Sequence, residues 1–323
     1  MRISVVIGAW NAAELLGQTL SSVAAQTFAP HEVIVVDDGS TDATAAVAAA
    51  HGARVISTPN RGVSAARNTG IEQAGGDWIA LLDADDLWTP DKLALQVEAA
   101  ALAPDAGVVV CDHYQFHGEG ELIQGSILDE RRARYDALQP QRLAPAMSRL
   151  PGMGTRLVSL GMAFFPSTWL VRRDLARAIG GFDAGLRRCE DYEFLLRALA
   201  RSDLVVVEKS LMGYRIHAQN ISRVAEAMTD ALIDIGERIG AHPQRYAPGA
   251  ATAFAPRMHE VLLESASLRL GRGDRTGARE RIARAGSIRR DRRWLELFVA
   301  SRLPPGARAL VARLHQRLRG ARR

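Results

Sequence analysis

Apolar residues come along the first part of the chain in short continuous runs, each closed by polar or acidic residues and followed by a stretch of helical character. Ile3 to Ile7 is the first run and predicts a strand. Ala12 to Ala25 reads as a helix behind it, with Asn11 as the cap, because an Asn side chain can accept a bond from a free backbone N–H. Val33 to Val36 predicts a second strand and ends in Asp37-Asp38-Gly39-Ser40-Thr41-Asp42. Ala43 to Ala50 is strongly helix-forming, with Ser40 or Thr41 as its cap. Val55-Ile56-Ser57 is a third strand, Asn60-Arg61-Gly62 turns into a helix from about Ser64 to Ala74, and Gly75-Gly76 breaks it. Trp78 to Leu82 has the length and continuity of a strand buried on both faces. This alternation predicts an α/β fold: a mostly parallel sheet with helices on both faces.

Leu93 to Leu102 continues as a helix and Gly107 to Cys111 as a strand, after which the periodicity degrades. Residues 113–160 mix Gly, Arg, Pro and Gln and are expected to be irregular, as segments that carry function or move often are. Order returns at Phe165 to Val171, followed by a short helix through Ile179 that Gly180-Gly181 stops. Glu190-Asp191-Tyr192-Glu193 opens a helix with acids, as its dipole prefers. Leu204 to Val207 is a strand, and a further short one precedes Gly213. From about Ala225 the pattern is helical, with Leu232, Ile235 and Ile239 on one stripe and Met258, Val261, Leu262 and Leu268 on another. Gly271-Arg272-Gly273-Asp274 turns the chain, so residues 258–286 read as an antiparallel helix pair. Leu310, Val311, Leu314 and Leu318 form a last apolar stripe opposed by Arg308, Arg313, Arg317 and Arg319.

At 323 residues and 47% hydrophobic content the chain can bury a substantial core. No uninterrupted apolar window of about twenty residues predicts a transmembrane helix. The first run becomes polar at Asn11 and Glu14 with no small-residue cleavage site, which marks a strand rather than a signal peptide. Cys111 and Cys189 lie far apart without metal spacing, which suits packing residues in a reducing, cytoplasmic compartment. The net charge of +5 is unevenly placed: residues 256–323 hold 18 Arg against six acids, a surplus of +12 that leaves −7 on residues 1–255. A basic amphipathic final helix can lie on the anionic inner face of a cell membrane, or dock on its own domain with its arginines in water. Nucleic acid is the weaker partner, since the tail has one Trp, one Phe and no recognisable binding fold.

Chemistry concentrates where the Trp78 run ends in Asp83, Asp85 and Asp86. Side chains alternate along an extended chain, so Asp83 and Asp85 should project to one side at the strand's carboxyl end, where ligands of α/β sheets gather. Two carboxylates that close repel unless a proton or cation lies between them, and Mg²⁺ or Mn²⁺ takes such oxygen ligands. An acidic turn leading into Thr89-Pro90-Asp91 would account for the same residues without a metal. No Gly-x-Gly-x-x-Gly follows the first strand and no Gly-Lys-Ser/Thr loop is present, which removes the dinucleotide and phosphate-loop fingerprints. Acidic pairs close two strands instead, an arrangement suited to a ribose and uracil-like edge at Asp37 or Asp38 and to a metal on a diphosphate at residues 83–86.

Ser4-Val5-Val6-Ile7-Gly8-Ala9-Trp10-Asn11, Val33-Ile34-Val35-Val36-Asp37-Asp38-Gly39-Ser40-Thr41-Asp42, Asn60-Arg61-Gly62-Val63-Ser64-Ala65-Ala66-Arg67-Asn68 and Leu81-Leu82-Asp83-Ala84-Asp85-Asp86 resemble, in order, the motifs of glycosyltransferase family 2. The resemblance implies the A-type glycosyltransferase fold and transfer of a sugar, with inversion, from a nucleotide-sugar donor, UDP-linked, to a hydroxyl of a saccharide or lipid-linked acceptor, as in cell-surface polysaccharide or glycoconjugate synthesis. It implies that Asp38 holds the base of the nucleotide, Asp83 its ribose and Asp85 the metal, Mn²⁺ or Mg²⁺, with Arg67, Asn11 and Asp37 on the nucleotide side. Gly8 departs from the family's usual proline, which loosens the turn after the first strand and removes no functional group. Gly180-Gly181-Phe182-Asp183 followed by Glu190-Asp191 resembles the family's base motif, and Asp191 is the implied base. An alcohol is a poor nucleophile at neutral pH, so direct displacement needs a carboxylate within hydrogen-bond reach of its hydroxyl. Tyr214-Arg215-Ile216-His217, with Asn220 and Ser222, resembles the segment that closes over the nucleotide, where His217 would reach the metal or the diphosphate. The expected division is a catalytic domain over residues 1–222 and a helical, arginine-rich extension over 223–323.

Two other readings use the same residues. A nucleotidyltransferase would need a basic residue near the first strand to grip a triphosphate, and Arg2 is the only one there. A binding protein that keeps the fold without turnover would not need all of the acids.

Overall fold

The structure, a computed structural model, describes residues 1–118, 120–160, 164–217 and 225–303. Asn220, Ser222 and the basic stripe at 308–319 therefore lie outside the described residues. The chain divides into two compact units, residues Met1–Ile221 with His242–Ala250, and Ser222–Ala241 with Ala251–Arg323. The short return at His242–Ala250 belongs to the first unit, whereas the sequence pattern assigns everything beyond residue 222 to the extension.

In the first unit β1 (Ile3–Ala9), α1 (Ala13–Ala24), β2 (Glu32–Asp37), α2 (Thr44–Ala50), β3 (Arg54–Ser57), α3 (Val63–Gln73) and β4 (Trp78–Asp83) alternate as the apolar runs require. β1 pairs in parallel with β2 and with β4, and β2 with β3. Ala9 lies opposite Asp37 and Gly8 opposite Asp83, so both acidic strand ends flank the end of β1. Ile3, Val5 and Ile7 are fully buried together with Val35, Ala80 and Leu82, which is why these strands read as unbroken apolar runs.

The helix starts differ from the sequence expectation. Asn11 is not the cap of α1: it takes a left-handed φ of 48°, and its Oδ1 accepts from the Thr41 N–H at 2.8 Å. The opening amides of α1 are satisfied from the neighbouring loop, Ala12 N–H by Thr44 Oγ1 at 2.8 Å and Ala13 N–H by Asp42 Oδ2 at 3.0 Å. Ser40 and Thr41 do not cap α2 either; Ser40 Oγ accepts from the Asn11 N–H, and Thr44 N–H donates to Asp42 Oδ1. Parallel neighbours end side by side, so each loop finds its hydrogen-bond partners across the gap rather than along the chain.

The chain then runs through β5 (Leu87–Trp88), α4 (Lys92–Leu102), β6 (Val108–His117), β7 (Glu121–Gln124), α5 (Ile127–Glu130), α6 (Arg132–Asp136), β8 (Gln141–Ala144), β9 (Met147–Leu150), α7 (Met153–Leu160), β10 (Trp169–Arg172), α8 (Arg173–Ala178), α9 (Glu190–Ala198) and β11 (Leu204–Ile216). The sheet order is β3-β2-β1-β4-β10-β6-β11-β9-β8, with β5 also on β11 and β7 on β6. β10 is antiparallel to both β4 and β6, while β11 is parallel to β6. The sheet is thus parallel in its first half and mixed beyond it.

Most of the described residues between 113 and 160 belong to strands of this sheet or to the helices α5, α6 and α7, not to the irregular stretch that their pattern suggests. Polar contacts replace apolar periodicity there. Glu208 accepts from Arg132 and Arg142 at 2.8 Å each and from Tyr135 at 3.2 Å, and Asp112 accepts from Ser126, Leu128 N–H and Ser210. β11 is likewise one long strand with irregular register near Ser210, where the sequence suggests two short ones.

The second unit contains α10 (Ala225–Ala241), α11 (Ala250–Gly271), α12 (Arg275–Ile288) and α13 (Arg292–Ala300). The helix pair expected over 258–286 is there, and Ile233, Val261, Leu262, Leu263 and Ala285 form its core. Among the described residues no helix is long and apolar enough to cross a membrane.

Candidate active site

The candidate residues gather where β1, β2 and β4 end, the usual ligand position in such sheets. At the end of β2, Asp37 Oδ1 accepts from the Ser40 N–H at 3.0 Å. Asp38, almost fully buried, spreads its two oxygens over the Arg61 and Gly62 amides at 3.0 and 2.7 Å. The loop before α3 is thereby fastened to the end of β2. Gly39 between them has φ +75°, and a Cβ there would stand 2.8 Å from the Asn60 nitrogen, so only glycine fits. Trp10, 58% exposed beside Asn11, presents an uncovered ring at the same edge.

At the end of β4 the three acids have three different partners. Asp83 Oδ1 accepts from Arg67 Nη2 at 2.6 Å. Asp85 Oδ2 lies 2.8 Å from His217 Nε2. Asp86 is buried, with Oδ2 accepting from Ser167 Oγ at 2.6 Å and Oδ1 from the Arg215 N–H at 3.2 Å. The cation that answers Asp83 within the chain is the Arg67 guanidinium. Burial, reinforced by the charge of Asp83, pushes the Asp85 carboxyl up against the pull of His217. Burial followed by the charges of Asp85 and Asp83 drives Asp86 well above the usual carboxylate range.

Arg67, only 5% exposed on α3, also donates Nη1 to Glu190 Oε1 at 2.8 Å and lies 5.2 Å from the Phe182 ring centroid. Burial alone would weaken its charge, but Asp83 and Glu190 outweigh it and raise its pKa. One buried guanidinium thus ties the end of β4 to the start of α9. A second tie runs from Asn68, whose side chain bonds both the N–H and the C=O of Phe182 at 2.7 and 2.8 Å.

Asp191 follows Glu190 in the first turn of α9, behind Cys189 in a left-handed conformation at φ 55°. Its Oδ1 accepts the Tyr192 N–H at 2.7 Å. Burial, then the neighbouring Glu190 charge, raises its pKa to about 7, with Arg67 opposing the rise. A carboxylate poised there is suited to taking a proton at neutral pH.

The structure thus makes two contact clusters, Arg67 with Asp83 and Glu190, and Asp85 with His217, which feel one another's charge together with Asp191, and it sets Asn11, Asp37 and Asp38 at the adjoining strand ends. Glu190, Ser167, Arg215 and Trp10 belong to the same region but stand out poorly in the sequence. Glu190 reads there as helix-end electrostatics, Arg215 as part of a phrase, and Ser167 has no local signal at all. Arg2, which a triphosphate-gripping enzyme would need, instead pairs with Asp77 at 2.9 Å, next to the amino ends of β1 and β4.

Among the described residues no three His, Cys, Asp or Glu side chains are grouped to hold a metal ion. Asp85 and His217 make a pair, one oxygen and one nitrogen donor. Such a pair fits a hard divalent cation that takes its remaining positions from phosphate and water.

The model of the family described as glycosyl transferase family 2 matches residues 4–160. The succinoglycan biosynthesis protein ExoO of Rhizobium meliloti (strain 1021) is 34% identical over 252 residues, covering 76% of this chain and 69% of that protein. Among solved structures, S. aureus TarS 1-349 in complex with UDP-GlcNAc superposes with a TM-score of 0.60 at 16% identity, covering 94% of this chain and 92% of that one. The mannosyltransferase PcManGT from Pyrobaculum calidifontis, in complex with GDP-Man and Mn²⁺, gives a TM-score of 0.57 at 18% identity over 98% of this chain and 79% of that one. These likenesses bear out the A-type glycosyltransferase fold that the motif order implies.

Proposed function

The chain belongs to glycosyltransferase family 2, and from that premise we propose that it moves a sugar from a UDP-linked donor to a hydroxyl of a saccharide or lipid-linked acceptor in cell-surface polysaccharide or glycoconjugate synthesis. The observation that carries this reading is the buried Arg67 guanidinium between Asp83 and Glu190, which holds the acidic end of β4 next to the first turn of α9, where Asp191 lies. The ExoO relative supports a polysaccharide product, and the UDP-GlcNAc held by TarS supports the nucleotide.

In this mechanism Asn11, Asp37 and Asp38 take the nucleoside end of the donor, Asp38 through the loop whose amides it holds. Trp10 offers its exposed ring to the base, and Asp83, fixed by Arg67, faces the ribose. Asp85 and His217 would hold Mn²⁺ or Mg²⁺, and such a cation supplies Lewis-acid neutralisation of charge on a leaving diphosphate. The Mn²⁺ in the PcManGT complex supports that assignment. Asp191 accepts the acceptor's proton as its oxygen bonds to the anomeric carbon and the carbon–oxygen bond to the diphosphate breaks on the opposite face. Configuration inverts, and the nucleoside diphosphate leaves with the bonding pair.

Calorimetry tests the donor half. UDP is expected to bind more tightly with Mn²⁺ than with a chelator, and Asp85→Ala is expected to abolish the difference. Equal wild-type affinity in both conditions would remove the metal from the mechanism.

A further inference from the structure

A shallow groove opens between α1, β5 and Tyr114, and Leu87 on its wall is the residue after Asp86. Its volume is about 680 Å³, inside the roughly 300–1,000 Å³ of small-molecule sites. Glu14, Gln18 and Ser21 of α1, His51 after α2, Thr89 and Tyr114 of β6 form its walls. The Tyr114 ring rests against bare backbone at Gly213, where a Cβ would lie 2.7 Å from it. Among the described residues no Lys or Arg lines the groove, so none of them there would compensate a phosphate or another anion.

The polar groups that remain are mixed donors and acceptors. Gln18 Oε1 is spent on Arg215 Nη2 at 2.8 Å, which leaves its NH₂ to donate outward. His51 Nδ1 meets the Val47 carbonyl at 2.9 Å and therefore carries the proton, leaving Nε2 as an acceptor. The Glu14 carboxylate and the Tyr114 hydroxyl take no hydrogen bond from any described residue. Interleaved donors and acceptors beside an aromatic ring match sugar hydroxyls, each of which both donates and accepts, and a pyranose face of C–H groups.

The groove is also wired to the chemistry. Arg215, 3% exposed, donates Nε to the Asp85 carbonyl at 2.9 Å, its own N–H to Asp86, Nη1 to the Gly118 carbonyl and Nη2 to Gln18, and stacks 4.7 Å from the Phe116 centroid. A ligand bonded to Gln18 therefore bears on the guanidinium that holds the turn carrying Asp85.

We propose that this groove is a saccharide subsite that holds a neutral stretch of the acceptor glycan outside the residue that reacts, an assignment that rests on the transfer reaction proposed above. Titration of the full chain with maltose through maltohexaose, cellobiose through cellohexaose and a matching galactan ladder, with inositol hexakisphosphate and Mn²⁺–UDP as separate arms, tests it. At least one neutral ladder is expected to bind with affinity that grows with chain length. Ser21→Trp, at an exposed position of α1, should fill the groove and weaken that binding by about tenfold or more, and Glu14→Ala, which removes one partner, by up to about tenfold. Both variants should titrate Mn²⁺–UDP like the wild type. Unchanged sugar affinity in both variants, no neutral ladder bound by a chain that binds UDP, or displacement of the sugar by the polyanion would each overturn the subsite. Sugar binding lost in the variants by a chain that never binds UDP would uphold the groove and overturn the donor reading instead.

Discussion

Asp191 is raised to about 7 by burial and by Glu190 beside it, and the sign of that shift separates its catalytic role from its cost. The folded state holds this proton more tightly than an unfolded chain whose Asp pKa is about 3.9, so the group subtracts stability as pH rises through that interval. Catalysis runs the other way, since only the ionised carboxylate can take the acceptor's proton. Transfer is therefore expected to rise with pH up to about 7 and level off above it. Asp191→Asn should lower transfer by about 10²- to 10⁴-fold, leave UDP affinity near wild type, and melt no lower than wild type at pH 8. Transfer within a few-fold of wild type would leave Asp191 as a helix-terminus residue. Arg67 acts on the same scale: removing it would leave the largely buried Glu190 and the partly buried Asp83 without their cation.

The elements are joined at their ends. α1 has no cap of its own, and Asp42 supplies one from the next loop, accepting from Ala13 N–H, Thr44 N–H and Thr44 Oγ1. The Thr44 hydroxyl, with those amides, holds the Asp42 carboxyl below its ordinary range. Its contribution to stability is thus present above the unfolded Asp pKa and lost as pH falls through the folded one. Asp42→Ala is expected to cost about 1 kcal/mol, the usual value of a helix cap, read as a lower urea midpoint with unchanged m. The variant should also loosen UDP binding, because the same loop joins the ends of β1 and β2 through Asn11 and Thr41. A variant as stable as wild type would show that water replaces the cap.

Across the whole chain the charge divides into −7 over residues 1–255 and +12 over 256–323. In the described part of the second unit many of those arginines are paired internally: Arg269 with Asp230 and Asp274, Arg281 with Asp230, Arg284 with Glu237. Arg308, Arg313, Arg317 and Arg319 lie beyond the described residues and keep the amphipathic spacing of the sequence. An arginine near an anionic surface contributes about 1 kcal/mol, screened by salt. We propose peripheral contact with the inner face of a membrane through this stretch. The full chain is expected to co-sediment with anionic but not neutral vesicles at low salt, and a chain ending at Pro304 to bind less while still binding UDP. Equal sedimentation of the two would remove the membrane role.

The alternation of apolar runs and helical stretches in the first hundred residues determined the parallel half of the sheet, and the acids after Val36 and Leu82 determined where the site would form. Both are local properties: a buried strand must be apolar throughout, and the residue that ends it is read directly from the chain. What the acids do was decided only by the tertiary structure. Asp83 meets Arg67, Asp85 meets His217, 132 residues away and just past the end of β11, and Asp86 is taken by Ser167 and Arg215. Asn11 looked like a cap and became a cross-loop acceptor, and residues 113–160 looked irregular because Glu208 and Asp112 order them through polar contacts. The physical reason is the same in each case. Periodicity reports which face of an element is buried, whereas the partner of a polar side chain depends on sheet order and register, which bring distant residues together and leave no local trace.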